Sequence, residues 1–378
     1  MTSTTGRIQQ HRRAGAALPS HGRAHNLSLV LRTLHAGGAM SRAELSRTLG
    51  LTRVTVSDLV AELLQRDHVV ELGTAEKGRP GKPAILVDLN RTGLQVVGLD
   101  LAEANVLSAA VMDLDGTVLS RLTTDLDSER GDRVTELLLD LVQRAIAQAT
   151  APLLGIGVGS PGIVDAHGTV LIAPNLHWEN VPLGALLEEH TGLPTLVAND
   201  ADAALMGEFT FGDGSRDMIL VKIGRGVGAG IMVDGHRTRG VHSAAGEIGH
   251  VTVGTDGGQE CACGRRGCLE TWLAMPYLER ALLDAGAPGR ERVLTSAGER
   301  LGIALAPVIA ALDLAEVVLV GDVDLLDGPL LCSVEETLAT RTLRQRDPDL
   351  RVRLAANPRD AVLRGTAVLV LWEQLGVA

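Results

Sequence analysis

Near residue 91 the charge of this chain changes sign. Residues 1–91 carry 13 Lys+Arg against 7 Asp+Glu, and the remainder carries 22 against 39. A small basic segment ahead of a large acidic body predicts at least two parts with different partners. The head is suited to phosphates and the body is not. At a prior of roughly one domain per ~150 residues, 378 residues leave room for that division. Aromatic residues make up only 2% of the chain, so the cores must be aliphatic. That weighs against a body that stacks bases or sugars on rows of rings.

Residues 1–24 are polar and rich in Arg, His, Gly and Ser, which reads as a flexible basic arm. From Asn26 the pattern changes: Leu27, Val30, Leu31 and Leu34 recur at helical spacing, and Gly37-Gly38 stops the helix. Ser41 followed by Glu44 forms a capping box for a second helix, which Gly50 breaks. Thr52 can cap a third, roughly Thr52–Arg66, with Val56, Leu59, Val60 and Leu63 on one face. The apolar spacing around Gly50 is that of a helix-turn-helix. Two alternating strands follow, His68–Leu72 and Ala84–Leu89, joined by a Gly/Pro loop with Lys77, Arg79 and Lys82. Residues 25–91 therefore read as a winged helix-turn-helix for double-stranded operator DNA. Thr52, Arg53, Thr55 and Ser57 start the recognition helix in the major groove, and Lys77, Arg79 and Lys82 line a basic wing at the minor groove.

From Gln95 the pattern is α/β. Strands QVVGLDL and NVLSAAVMDLDGTVL turn at Asp115-Gly116, a helix covers Arg133–Ala149, and LLGIGVGSPG forms a further strand. A similar unit starts near Met218, with a turn at Asp234-Gly235, 119 residues after the first Asp-Gly turn. This weak duplication predicts two related lobes around a cleft.

The densest chemical motif is GEIGHVTV followed by CACGRRGCLE. It supplies His250, Cys261, Cys263 and Cys268. Three Cys and one His make a closed tetrahedral zinc set with no position left for water, so the expected ion, one per chain, is structural. Cys332 stands apart and reads as a core thiol.

The stretch GEIGH…CACGRRGCLE resembles the signature of the ROK family of repressors and sugar kinases. The resemblance covers residues ~25–375. It implies an actin-like (ribonuclease H-like) two-lobed body over residues 92–378, with the zinc motif at 247–270. It also implies a sugar or sugar phosphate ligand. In VANDADAA, Asn199 and Asp200 match a pair that hydrogen-bonds sugar hydroxyls, the Asp serving as general base in the kinases. Glu247 and His250 match a sugar carboxylate and a residue bridging sugar and zinc. Glu270 matches a carboxylate near the anomeric hydroxyl, and Asn175 in APNLHW falls in the sugar loop. Helix capping is the plainer role for Asn199 and Asp200, and both roles can hold.

The nucleotide half departs from the kinases of the family, whose first strand turn reads Asp-x-Gly-Gly-Thr so that backbone N–H groups approach a phosphate. Here the turn reads Asp100-Leu101-Ala102-Glu103-Ala104, and a later Gly-Gly stretch reads Gly321-Asp322. The second glycine turn, Gly224–Gly230, is kept. The combination predicts a sugar-responsive transcriptional repressor with no catalytic residue. A sugar kinase carrying an added DNA-binding head is the alternative, and a zinc-sensing regulator a more distant one.

The run Ala145–Val164 is free of charge but interrupted by Pro152, Pro161 and four Gly, so it reads as a helix end, a strand and a turn rather than a membrane span. The N-terminal residues lack the apolar core of a signal peptide, and four Cys do not make a disulfide framework. The expectation is a cytoplasmic protein with no membrane partner. Symmetric operators and the family pattern imply a homodimer or homotetramer.

Overall fold

The computed structural model describes residues 19–74, 84–103, 105–253, 258–343 and 350–377. The chain divides into two units. One holds residues up to Asn90 together with Leu375–Val377, the other Arg91–Gln374.

In the first unit, α1 (Pro19–Gly37) is followed by β1 (Met40–Ser41), α2 (Arg42–Leu49), α3 (Arg53–Gln65), β2 (Val69–Thr74) and β3 (Ile85–Leu89). Ser41 starts α2 because its Oγ accepts from Glu44 N at 3.2 Å while its own N–H donates to Glu44 Oε2 at 2.9 Å. Two N–H groups that the first turn would leave without partners are thereby satisfied. Gly50 ends the helix at φ +66°, a conformation that costs Gly little. Thr52 Oγ1 accepts from Thr55 N at 3.1 Å and starts α3. Leu27, Val30, Leu31, Leu34, Leu45, Val56, Leu59, Val60 and Leu63 are buried, as are Val69, Val87 and Leu89 of the strands.

Three features differ from the sequence reading. Helix α1 begins at Pro19, so residues 19–24 of the expected arm are helical. Strand β1 joins the hairpin as a third strand in the order β1-β3-β2. Residues 375–377, assigned above to the body, group with the first unit: Gly376 lies against Ser28, and its carbonyl accepts from Arg32 Nε at 2.5 Å. Residues 1–18 and the wing residues Lys77, Arg79 and Lys82 lie outside the described residues.

The second unit repeats one topology. Its first half contains β4 (Gln95–Asp100), β5 (Val106–Met112), β6 (Val118–Asp125), α4 (Asp132–Ile146) and β7 (Leu153–Ser160). The small strands β8 (Ile163–Val164), β9 (Val170–Ala173) and β10 (Trp178–Val181) follow, then α5 (Leu183–Thr191), β11 (Thr195–Asn199) and α6 (Asp200–Phe211). The second half contains β12 (Met218–Ile223), β13 (Val227–Val233), β14 (His236–Arg237), α7 (Glu270–Leu273), α8 (Met275–Leu312), β15 (Glu316–Val320), α9 (Val323–Leu326), α10 (Pro329–Arg341), β16 (Arg351–Leu354) and α11 (Ala361–Leu375).

The five-stranded sheets run β11-β7-β4-β5-β6 and β16-β15-β12-β13-β14. In each, an antiparallel meander (β4-β5-β6 or β12-β13-β14) is extended by two parallel strands. Central strands such as β4 and β15 are buried along their whole length, as strands covered on both faces should be. Helices α6 and α11 meet at glycines: a Cβ on Gly207 would come within 2.7 Å of Gly365 N and 2.8 Å of Ala361 O. That close approach of two helices requires Gly.

The charge-free run resolves into the end of α4, β7 and β8. Helix α8 is the one helix among the described residues long and apolar enough to cross a membrane. It buries Leu294, Leu301 and Leu305 and is interrupted at Gly286, φ +60°. Cys332 is exposed on α10 rather than a core thiol, because the buried face of that helix is Leu330, Val334 and Leu338.

Candidate functional site

Strand β11 ends at Asn199, whose side chain caps α6. Oδ1 accepts from Ala201 N at 2.9 Å and Asp202 N at 3.2 Å, and Nδ2 donates to Gly162 O at 2.8 Å. One amide N–H of Asn199 remains for a ligand. Asp200 follows as the first residue of α6. Both border a cavity of about 470 Å³ within the second unit, together with Asn175, Lys222, Glu247, His250 and Glu270. The structure thus brings all six sequence-predicted sugar residues to one cavity, although four separate segments supply them. Its size suits a small molecule, and paired carboxylates and amides can satisfy hydroxyls that both donate and accept.

Electrostatics distinguishes the carboxylates. Asp100, at the end of β4, is 5% exposed, and its Oδ1 accepts from Ala102 N at 2.9 Å. Burial pushes its carboxyl up to about 6, against the pull of the Lys222 ammonium. Glu247 is also raised, chiefly by burial; His250 opposes the shift, and the Asp200, Glu270 and Asp202 carboxylates add to it. Glu270, at the start of α7, joins two parts of the site. Its Oε2 accepts from Val227 N at 3.3 Å on the second glycine turn, and its Oε1 lies 3.6 Å from Cys261 Sγ.

His250, Cys261, Cys263 and Cys268 converge, with one ligand atom of each within 4.8 Å of every other. Cys261 Sγ is 3.7 Å from His250 Nδ1, and Cys263 Sγ is 3.7 Å from Cys268 Sγ. Sulfurs bound tetrahedrally at about 2.3 Å would sit about 3.8 Å apart, so this donor set fits a zinc ion. The loop reaches that geometry because Gly264 and Gly267 adopt φ +82° and +74°. Turn hydrogen bonds complete it: Gly264 N donates to Cys261 O and Cys261 N to Arg265 O. Burial pushes the Cys261 thiol up to about 12. Binding a cation there must release protons.

The first strand turn carries side chains where phosphate-binding glycines are expected. Glu103 does not simply point into the cavity; its Oε2 accepts from the buried Ser108 Oγ at 3.2 Å. Asp322 caps α9 by accepting from Asp324 N at 3.0 Å. Two cleft cations escaped the sequence reading. Lys222 of β12 places Nζ 2.9 Å from Asp200 Oδ2, and Arg225 borders the same cavity. The available signal was a lysine inside the otherwise apolar strand MILVKI.

In the first unit, Thr52, Arg53 and Ser57 are exposed at the start of α3. Thr55 is half-buried, its Oγ1 2.8 Å from Thr52 Oγ1, so these two hydroxyls already have each other as partners. Val54, 71% exposed, was not singled out from the sequence; an exposed β-branched residue at a helix start is its signal.

The chain is similar to known proteins over most of its length. A profile of the ROK family matches residues 96–373. The chain is 35% identical to a xylose repressor of Caldicellulosiruptor bescii over 266 residues, 68% of this chain and 65% of that protein. It therefore spans just under two thirds of the length of that relative. A crystal structure of a ROK family transcriptional regulator, a homologue of the Escherichia coli Mlc protein, superposes with a TM-score of 0.82 at 26% identity, covering 94% of this chain and 98% of that one. A ROK family glucokinase from Streptomyces griseus, solved with glucose and AMPPNP, superposes with a TM-score of 0.63 at 26% identity, covering 73% and 98%.

Proposed function

The chain belongs to the ROK family, and from that premise we propose that it is a sugar-responsive DNA-binding transcriptional repressor that has lost kinase activity. The observation that carries the reading is the state of the cleft. Asn175, Asn199, Asp200, Glu247, His250 and Glu270 border one cavity, while Ala102 and Glu103 stand where a phosphate needs bare backbone. The similarity to a repressor, and to a regulator over nearly the whole chain, supports the same conclusion.

The first unit is the operator-binding winged helix. Arg53 and Ser57, exposed at the start of α3, face base edges and phosphates, and Val54 suits a thymine methyl. The wing residues Lys77, Arg79 and Lys82 follow the minor groove. A symmetric operator calls for a homo-oligomer. One structural zinc per chain sits on His250, Cys261, Cys263 and Cys268 and holds His250 and Glu270 against the cleft. The protein works in the cytoplasm, where its operator is. The ligand shifts operator affinity only by its differential affinity for the two states.

The test is operator binding by fluorescence anisotropy, titrated with a panel of sugars and sugar phosphates. One of them should change operator affinity at a concentration that also raises the thermal midpoint. Response to none of them, by a protein that binds operator, would refute the reading.

A further inference from the structure

We propose that the Lys222 ammonium is a built-in counter-ion, seated where a divalent metal would join Asp100 and Asp200, so that this cleft binds its ligand without metal or nucleotide. The inference rests on the regulator reading of the same cleft.

The fold brings three elements together. Asp100 ends β4 in register with Gly159 of β7, a Cβ on Gly159 would lie 3.7 Å from Asp200 Cα at the start of α6, and Lys222 stands on β12 of the second sheet. Lys222 Nζ lies 2.9 Å from Asp200 Oδ2, and the side chains are 16% and 15% exposed. Asp100 is more deeply buried, at 5%. The ammonium also lies against the second glycine turn, 3.6 Å from where a Cβ on Gly224 would be. It therefore sits beside backbone that a phosphate would need to approach.

A phosphoryl-transfer site holds Mg²⁺ through one or two carboxylates and the phosphates of its substrate, and Asp100 and Asp200 are the carboxylates available here. Mg²⁺ requires oxygens at about 2.0–2.1 Å in near-octahedral array. An ammonium hydrogen-bonded to one of those oxygens cannot remain beside such an ion, since two cations would share one pair of carboxylates at close range. Lys222 would have to swing away or lose its proton. Burial favours loss of the proton, but the Asp200 and Asp100 carboxylates outweigh it and hold the lysine above its ordinary value. Metal–nucleotide thus does not fit here, and the cause is a side chain of this chain itself. The tethered cation does half of what the metal would do: it neutralises the carboxylates and fixes Asp200 as a hydrogen-bond acceptor. It brings no coordination sites for phosphates.

The experiment uses the zinc-loaded full chain and Mn²⁺ alone as probe, followed by the loss of its free-ion electron paramagnetic resonance signal. Wild type should take up no Mn²⁺ at millimolar concentration. Lys222→Met, of similar shape without the charge, should take up one Mn²⁺ per chain, at least ten times more tightly than wild type. Adding Asp100→Asn should abolish that gain. Lys222→Arg, which keeps the charge, should resemble wild type and serves if the methionine variant is poorly folded: uptake by it would overturn the proposal. So would uptake by wild type that Asp200→Asn removes, or no uptake by a folded, zinc-loaded Lys222→Met protein. Neither sugar nor operator enters the readout, so failure here is distinct from failure of the regulator reading.

Discussion

Cys261 Sγ and Glu270 Oε1 lie 3.6 Å apart, so the cysteine–histidine cluster and the cavity share a wall. Glu270 also accepts from Val227 N, and His250 borders the cavity while offering Nδ1 to the cluster. An ion placed there would be closed off by its four ligands and would hold the cleft residues in place. Replacing Cys263 by Ser should remove a ligand, lower the zinc content below one per chain, and weaken ligand binding by on the order of tenfold or more, as loss of support around a metal does. Metal analysis and calorimetry on the same preparation check both. Full ligand affinity in the metal-free variant would separate the cluster from the cleft.

Asp200 should serve recognition. Asp200→Asn is nearly isosteric but neutral, and it loses a charged acceptor worth about 1.5–3 kcal/mol for one hydrogen bond. The dose–response of operator affinity to ligand should move to higher ligand concentration with the same plateau. Operator affinity without ligand should not change. An unmoved midpoint would leave Asp200 as a helix-start residue and the partner of Lys222, with no part in recognition.

Sugar-dependent ATP turnover should be absent from zinc-loaded protein. The double change Ala102→Gly and Glu103→Gly should not create it, because Lys222 still pairs with Asp200 and Asp322 still caps α9. A coupled assay over a sugar panel decides this. Robust turnover by wild type would restore the kinase alternative.

Local signals made much of this protein legible from its residues. The Ser41–Glu44 box, Gly50 and the Thr52 cap are all decided within a few residues, and the four residues of the His/Cys cluster fall within a short stretch. The repeated sheet order was foreshadowed by the spacing of the Asp-Gly turns. What stayed hidden depends on distant partners. The two-residue strand β1 exists only because β3 is there to pair with it. Arg353 joins Glu208 of α6 to Glu316 of β15, a buried network that no periodicity announces. Lys222 is a lone cation in an apolar strand, and nothing near it in sequence shows that the fold brings Asp200 to it.

Operator binding should depend on the first unit and on salt. Arg53→Ala should weaken specific binding by about 1–3 kcal/mol if the side chain makes a bidentate base contact, and Arg79→Ala should weaken binding across sequences alike. Neither change should alter ligand affinity. Retention of operator binding by a chain lacking residues 1–90 would place the DNA surface elsewhere.

Asp100 provides a pH test whose sign is fixed by burial. Its carboxyl lies at about 6 in the folded chain, against an ordinary value of 3.8. Between those limits the folded chain holds a proton that the unfolded chain releases. The contribution of this group is therefore greatest below about pH 4 and is lost as pH rises through about 6, by roughly 3 kcal/mol in all. Asp100→Asn cannot titrate and can still accept from Ala102 N. The stability of wild type relative to this variant should fall across that window and then level off. Urea unfolding of both proteins at pH 4, 5, 6 and 7 reads the difference and cancels the groups they share. A difference that stays flat from pH 4 to 7 would mean that Lys222 keeps Asp100 ionised throughout. Repeating the comparison on a Lys222→Met background, where the opposing charge is gone, should move the levelling-off to higher pH.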